Sequence, residues 1–334
     1  MSPAAGTDAG PPSGILLPKP ERLFRQRARR LRDRAAMVPG LSGYLLLMAE
    51  LAERQAEIFQ SPSLLDKREG LALVRLFQRG GWDGRSLAAS APFIPVPARE
   101  VTCERSGHAP GGAEGCGVEE EDRRAARALI SQLNTLTQSL VVDVPAVMRA
   151  LAHIEAASLG DVHRWLASLW SGEFHPGDSA ILPFVAAALQ IELARWAAGL
   201  NPGNLGRSAE PGRCPVCGGW PVASVLRTAG EASGLRYLHC GFCASEWQFP
   251  RIQCIQCGSG EHIAYHGIDG ADPAVQAETC DACHIYLKRI DRDKSPDADP
   301  LADDLATLAM DVLLNEQGDQ RFGFNPLMII PATT

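Results

Sequence analysis

Two stretches of the chain carry one cysteine spacing, and that repeat constrains the fold more than any other feature. Cys214-x2-Cys217 is followed by 22 residues and then Cys240-x2-Cys243, and Cys254-x2-Cys257 is followed by 22 residues and then Cys280-x2-Cys283. Each cysteine of the first set has its counterpart 40 residues on, so eight of the ten cysteines belong to two copies of one unit. Paired C-x2-C turns are the pattern of a four-thiolate metal site.

The spacing has a local physical reason. In a C-x2-C turn both sulfurs face one concavity, and nearby backbone N–H groups offset thiolate charge. Gly218 and Gly258 follow the second cysteine of a pair, where a residue without Cβ allows the tight turn. Two such turns joined by a hairpin can set four sulfurs tetrahedrally around zinc or iron, the geometry of a rubredoxin or zinc ribbon. A disulfide framework belongs to small secreted chains, a thioredoxin-type site needs only one pair, and ferredoxin clusters use other spacings. A mononuclear tetrathiolate site is therefore expected twice. Sequential pairing is assumed, because the 22-residue spacer recurs there; interleaved pairing satisfies the count as well. The ligands suit iron and zinc alike.

A chain of 334 residues, 46% hydrophobic, can bury a real core and is expected to form two or three domains. Its formal net charge of −7 is that of an ordinary acidic soluble protein. The first residues contain only a short Ile15-Leu16-Leu17 run, so neither a signal peptide nor a membrane span is expected to start there. The most apolar stretch, Ile181 to Leu189, is too short to cross a bilayer. A cytoplasmic location follows as an expectation, since thiols stay reduced there.

Composition and periodicity divide the chain. Residues 1–20 are expected to be disordered, and 21–205 to form an all-α domain of six to eight helices. Tyr44, Leu47, Met48, Leu51 and Ile58 mark one apolar face, and Leu129, Leu133, Leu136 and Leu140 another. The first helix carries Arg22, Arg25, Arg27, Arg29, Arg30, Arg32 and Arg34, which reads as a solvated charged face. Residues 101–121 interrupt the helices with a Gly/Pro-rich loop, where Cys103 and Cys116 read as stray thiols.

Residues 206–252 and 253–294 are expected to be the two rubredoxin-like modules, each with strand-like runs between its turns. His239 and His284 adjoin ligand cysteines, but four thiolates already complete each site, so both read as bystanders. Residues 295–334 add a linker and a C-terminal helix, in which Leu301, Leu305, Leu308 and Val312 fall on one face. That face is available either to the rest of the chain or to a partner. The fold class is thus multidomain α+β: an all-α domain, two tandem zinc-ribbon modules and a terminal helix.

Several strings resemble the FdhE family of formate dehydrogenase accessory proteins. They are Cys214-Pro-Val-Cys-Gly-Gly-Trp-Pro-Val-Ala-Ser, Gly234-Leu-Arg-Tyr-Leu-His-Cys with Glu246-Trp247, and Ala302-Asp-Asp-Leu-Ala-Thr-Leu with Asn325-Pro326. The resemblance is strongest from Cys214 onward, and no family pattern includes the Cys103 to Cys116 loop. It implies a cytoplasmic, non-catalytic maturation factor that binds the formate dehydrogenase catalytic subunit before export and carries rubredoxin-like iron sites. The expected cofactors are two iron ions per chain, with zinc as the alternative, held by Cys214, Cys217, Cys240, Cys243, Cys254, Cys257, Cys280 and Cys283. Iron would permit one-electron chemistry; either metal would serve folding. A zinc-ribbon protein that binds nucleic acid is the competing reading. Between Arg213 and Arg289, however, six Lys/Arg stand against seven Asp/Glu, a net of −1, whereas a phosphate-binding surface should be basic. Hydrolytic or transferase chemistry fits poorly, because thiolates fill all four positions of each site.

Overall fold

The computed structural model describes residues 14–63, 65–78, 120–138, 140, 143–175, 177–206, 208, 210, 212–227 and 234–328. Cys103, His108 and Cys116 lie outside the described residues.

Among the described residues seven α-helices occupy the N-terminal part: α1 (Pro20–Met37), α2 (Ser42–Gln60), α3 (Lys67–Gln78), α4 (Glu120–Thr137), α5 (Pro145–Glu155), α6 (Leu159–Ser171) and α7 (Leu182–Ala198). Their ends follow local chemistry. Proline occupies the first turn of α1, α5 and α7, where its missing N–H costs nothing. Ser158 and Asp161 form a reciprocal capping box at α6, and Gly172 ends that helix in the left-handed conformation. The Ile181 to Leu189 run caps and opens α7, which is buried on nearly every side and so becomes the central helix of the bundle. No helix of the described residues is long and apolar enough to cross a membrane.

The cysteine region forms one sheet. Strands β2 (Pro221–Arg227), β3 (Leu235–Cys240) and β4 (Glu246–Phe249) make one antiparallel meander, and β5 (Ile263–His266), β6 (Val275–Cys280) and β7 (Ile285–Asp291) make a second. Parallel pairing of β2 with β7 joins them, Ser224 opposite Arg289 and Leu226 opposite Asp291. Two further short strands attach: β1 (Ile15–Leu16) on β4, and β8 (Gln320–Arg321) on β7. Residues 15–16 therefore depart from the disorder expected of 1–20: Ile15 is buried and pairs opposite Trp247. Arg236 on β3, buried, reaches Glu278 on β6 at 2.6 Å and ties the two meanders together with an ion pair.

The C-terminal helix is broken in two at Thr307, into α8 (Pro300–Ala306) and α9 (Leu308–Glu316). The apolar face expected along it is divided accordingly: Leu301 and Leu305 are fully buried, whereas Val312 is 57% exposed. The expectation of a solvated arginine face on α1 is likewise corrected. Arg27 and Arg34 are buried and Arg30 nearly so. Asp299 takes Arg27 at 3.2 Å, and Asp303 takes Arg30 at 2.8 Å and Arg34 at 2.5 Å. Asp272, in the loop before β6, pairs with Arg30 and Arg34 as well. Only Arg22, Arg25, Arg29 and Arg32 keep the solvated position expected of all seven.

Candidate metal centres

Each C-x2-C pair forms a turn at one end of a strand. Cys214 and Cys217 precede β2, and Cys240 and Cys243 link β3 to β4; Cys254 and Cys257 precede β5, and Cys280 and Cys283 link β6 to β7. The turns share one backbone device. The residue after the second cysteine is left-handed every time: Gly218 at φ +77°, Ala244 at +58°, Gly258 at +76° and His284 at +54°. That reversal lets the N–H of Gly218 reach the carbonyl of Cys214 at 2.9 Å, and likewise Gly258 to Cys254 at 3.1 Å and His284 to Cys280 at 2.8 Å. Within the turns, the N–H groups of Val216, Phe242 and Gln256 donate to the sulfurs of Cys214, Cys240 and Cys254, all at 3.4 Å.

The sulfurs converge in sequential order. Cys214, Cys217, Cys240 and Cys243 form one group and Cys254, Cys257, Cys280 and Cys283 the other, with all sulfurs of a group within 4.8 Å of one another. Cys214 lies 3.6 Å from Cys243 and Cys217 3.4 Å from Cys240, sulfur to sulfur, and in the other group Cys254 lies 3.5 Å from Cys283 and Cys257 3.7 Å from Cys280. A cation bound about 2.3 Å from each of four tetrahedral sulfurs holds them about 3.8 Å apart. The donor sets fit such an ion, and interleaved pairing is ruled out by this geometry. Burial pushes the Cys214 and Cys217 thiols well up. For Cys243 burial acts the same way but is outweighed by hydrogen bonding with the other three sulfurs and Ser245, which drives it well down. Four buried sulfurs cannot all ionise unaided; a cation at their centre would supply the missing charge.

The helical bundle wraps the first group. Phe77 of α3 and Trp170 of α6 meet edge-on at 5.3 Å, and Phe77 packs on Phe242 at 4.8 Å, inside the Cys240 turn. Gln190 of α7 donates to the carbonyl of Gly241 at 2.7 Å, and Trp220 Nε1 donates to the carbonyl of Trp170 at 2.9 Å. Phe324 closes the other side of Phe242. Arg213 lies over the Trp220 ring, its guanidinium 3.5 Å from the centroid. As a result, residues 214–219 and 240–247 are all buried.

The second group has no such cover. Cys254 and Cys280 are buried, but Cys257 is exposed and Cys283 half-buried. A hydrogen bond from the Ser259 backbone holds the Cys257 thiol down to about 7. His284 is largely exposed and lies 3.7 Å from Asp319. His239 is different: buried, with Nδ1 3.1 Å from Glu246, which Arg227 and Arg292 also contact. Burial opposes ionisation of Glu246, but Arg292, His239 and Arg227 outweigh it and hold the carboxyl far below its usual range. Neither histidine is among the converging donors.

What the cysteine spacing could not reveal is this wrapping, contributed by Phe77, Trp170, Gln190 and Phe324 from distant segments. A signal for its one-sidedness does exist in the repeat. Val216, Gly241 and Phe242 of the first unit correspond to Gln256, Asp281 and Ala282 of the second, so apolar or small turn residues give way to polar or shorter ones.

Comparison with known families matches 12–84 and 118–210 to "FdhE, N-terminal", 213–251 to "FdhE, central domain" and 252–328 to "FdhE, C-terminal domain". The gap in the first match contains Cys103 and Cys116. A "Protein FdhE homolog" of Stutzerimonas stutzeri (strain A1501) is 31% identical over 310 residues, spanning 92% of this chain and 90% of that relative. One of Edwardsiella ictaluri (strain 93-146) is 33% identical over 324 residues, spanning 96% and 92%. The crystal structure of the FdhE protein from Pseudomonas aeruginosa superposes with a TM-score of 0.72 at 30% identity, covering 96% of this chain and all of that one. Sequence and fold agree over nearly the whole length, and the chain belongs to the FdhE family.

Proposed function

We propose that the protein is a non-catalytic accessory factor for the formation of formate dehydrogenase. It acts in the cytoplasm and binds the catalytic subunit before export. Family membership over nearly the whole chain carries this reading, and the two convergent four-sulfur groups accord with it. The eight cysteines of the described residues are all free, which suits a reducing compartment. Cys214, Cys217, Cys240 and Cys243 hold one ion, and Cys254, Cys257, Cys280 and Cys283 a second, iron in each case with zinc as the alternative. Iron would supply one-electron chemistry, whereas zinc would supply none. The chain's own residues position the sulfurs, donate N–H groups to them and, around the first group, exclude water. Boundaries follow the same logic: a helical unit over 21–205, cysteine modules over 206–252 and 253–294, and a terminal segment over 295–334.

Co-purification tests the partner. Tagged full-length chain, expressed with an export-blocked formate dehydrogenase catalytic subunit, should retain that subunit through washing. Failure to retain it, with the chain folded and metal-loaded, would refute the partner assignment. Metal analysis of anaerobically purified protein should find two ions per chain, one for each four-sulfur group.

A further inference from the structure

We propose that the two centres differ in exchange: the second takes up and releases its metal through Cys257, whereas the first keeps its metal as a permanent part of the core. This rests on the metal-binding reading above and goes beyond it, because the repeat alone makes the centres look equivalent.

The difference lies in what covers each group. Around the first, residues 214–219 and 240–247 are all buried beneath side chains from α3, α6 and α7 and beneath Phe324. A methyl group on Gly218 would sit 2.5 Å from the Trp170 ring, and one on Gly241 would sit 2.9 Å from Pro326, so no room is left at these turns for an incoming donor. At the second group Gln256, Cys257 and Gly258 on one turn, and Asp281, Ala282 and His284 on the other, are exposed. A methyl on Gly258 would meet nothing nearer than the Gln253 amide at 3.7 Å. The buried half of this centre, Cys254 and Cys280, anchors it to the sheet, and Ile255 packs inward beside them. One sulfur thus faces solvent while two stay fixed, an arrangement in which a ligand can be replaced without opening the fold.

The step is a ligand substitution. An incoming thiolate or nitrogen donor bonds to the metal as the bond to Cys257 breaks, and the freed thiolate takes a proton from water. The metal keeps its charge throughout. Repetition at Cys283 and then at the two buried sulfurs completes transfer to the acceptor. At the first centre the same exchange requires the helical bundle to detach, and rare global opening limits it.

Zinc-loaded full-length protein, mixed anaerobically with excess 4-(2-pyridylazo)resorcinol, should release one equivalent at least about tenfold faster than the other. In parallel, brief iodoacetamide treatment followed by mass mapping should modify Cys257 before any cysteine of the first group. Cys257→Ser should abolish the fast phase and leave the slow one. The mass mapping uses unmodified protein, so it decides the matter even if that variant misfolds. Release of both equivalents at one rate, or modification of Cys214, Cys217, Cys240 or Cys243 as early as Cys257, overturns the proposal. A chain that binds no metal overturns the metal-binding reading together with it. Two phases in a chain that fails to retain the catalytic subunit leave this proposal standing and remove only the partner assignment.

Discussion

At the scale of single residues, the four turns share a left-handed residue after the second cysteine, yet its chemical requirement differs from turn to turn. Ala244 and His284 show that a side chain can be carried there at positive φ, at a cost of about 1–2 kcal/mol. Gly258 needs glycine only for that backbone cost. Gly218 needs it twice over, because a Cβ would enter the Trp170 ring at 2.5 Å. Gly218→Ala should therefore destabilise the protein by about 3 kcal/mol, against about 1 kcal/mol for Gly258→Ala. Urea midpoints of the two metal-loaded variants, measured side by side, check this; equal losses would mean that the helical bundle does not press on the first turn. Both glycines are legible in the sequence, standing directly after Cys217 and Cys257. The unequal roles are not, since Trp170 is 48 residues away from Gly218 in the chain.

At the scale of elements, α1 and α8 explain the paired aspartates of the Ala302-Asp-Asp-Leu-Ala string. Asp303 faces α1 and accepts Arg30 and Arg34; Asp304 faces the sheet and accepts Arg321 at 2.7 Å, Asn325 at 2.9 Å and Lys288 at 3.1 Å. Both aspartates are fully buried, so one short helix is clamped from two sides by charge. Buried ions of this kind lend specificity more than net stability, but removing one partner leaves the others uncompensated. Arg34→Ala should cost about 3–5 kcal/mol, whereas Arg29→Ala, on the exposed face, should cost no more than about 0.5 kcal/mol. Chemical denaturation of both variants distinguishes a buried clamp from a solvated stripe, and equal small losses would restore the stripe. A trace of the clamp is present in the sequence: Arg27, Arg30 and Arg34 recur at helical spacing, as a buried face does. Arginine composition alone pointed to solvent, because only the position of Asp272, Asp299 and Asp303 in space shows that the charge is matched.

At the scale of the whole molecule, helices and sheet share one apolar core. A continuous cluster runs from Leu31, Phe77 and Leu189 in the bundle through Cys214, Phe242 and Leu287 in the cysteine region to Phe324. Parallel pairing of β2 with β7 then links the second meander to the first. Helix loss followed by circular dichroism and tryptophan exposure followed by fluorescence should accordingly coincide in a single denaturant transition. An early, separate loss of helix would show that the bundle stands apart from the sheet. Trp165 and Trp170 lie in α6 while Trp220 and Trp247 lie in the cysteine region, so the fluorescence probe reports on both.

The sequence by itself determined the cysteine turns, the helical first half and the membership of the family, and left sequential and interleaved pairing both open until the sulfurs were placed in space. These depend on local spacing and periodicity, which survive without knowledge of distant contacts. Tertiary structure alone decided that the two cysteine units build one sheet, that α1 and α8 are locked by charge and that one centre is enclosed while its repeat is open. Enclosure arises when side chains from segments far apart in the chain pack on the same turn. Phe77, Trp170, Gln190 and Phe324 do so at the first centre, and no spacing within a repeat of 40 residues can record it.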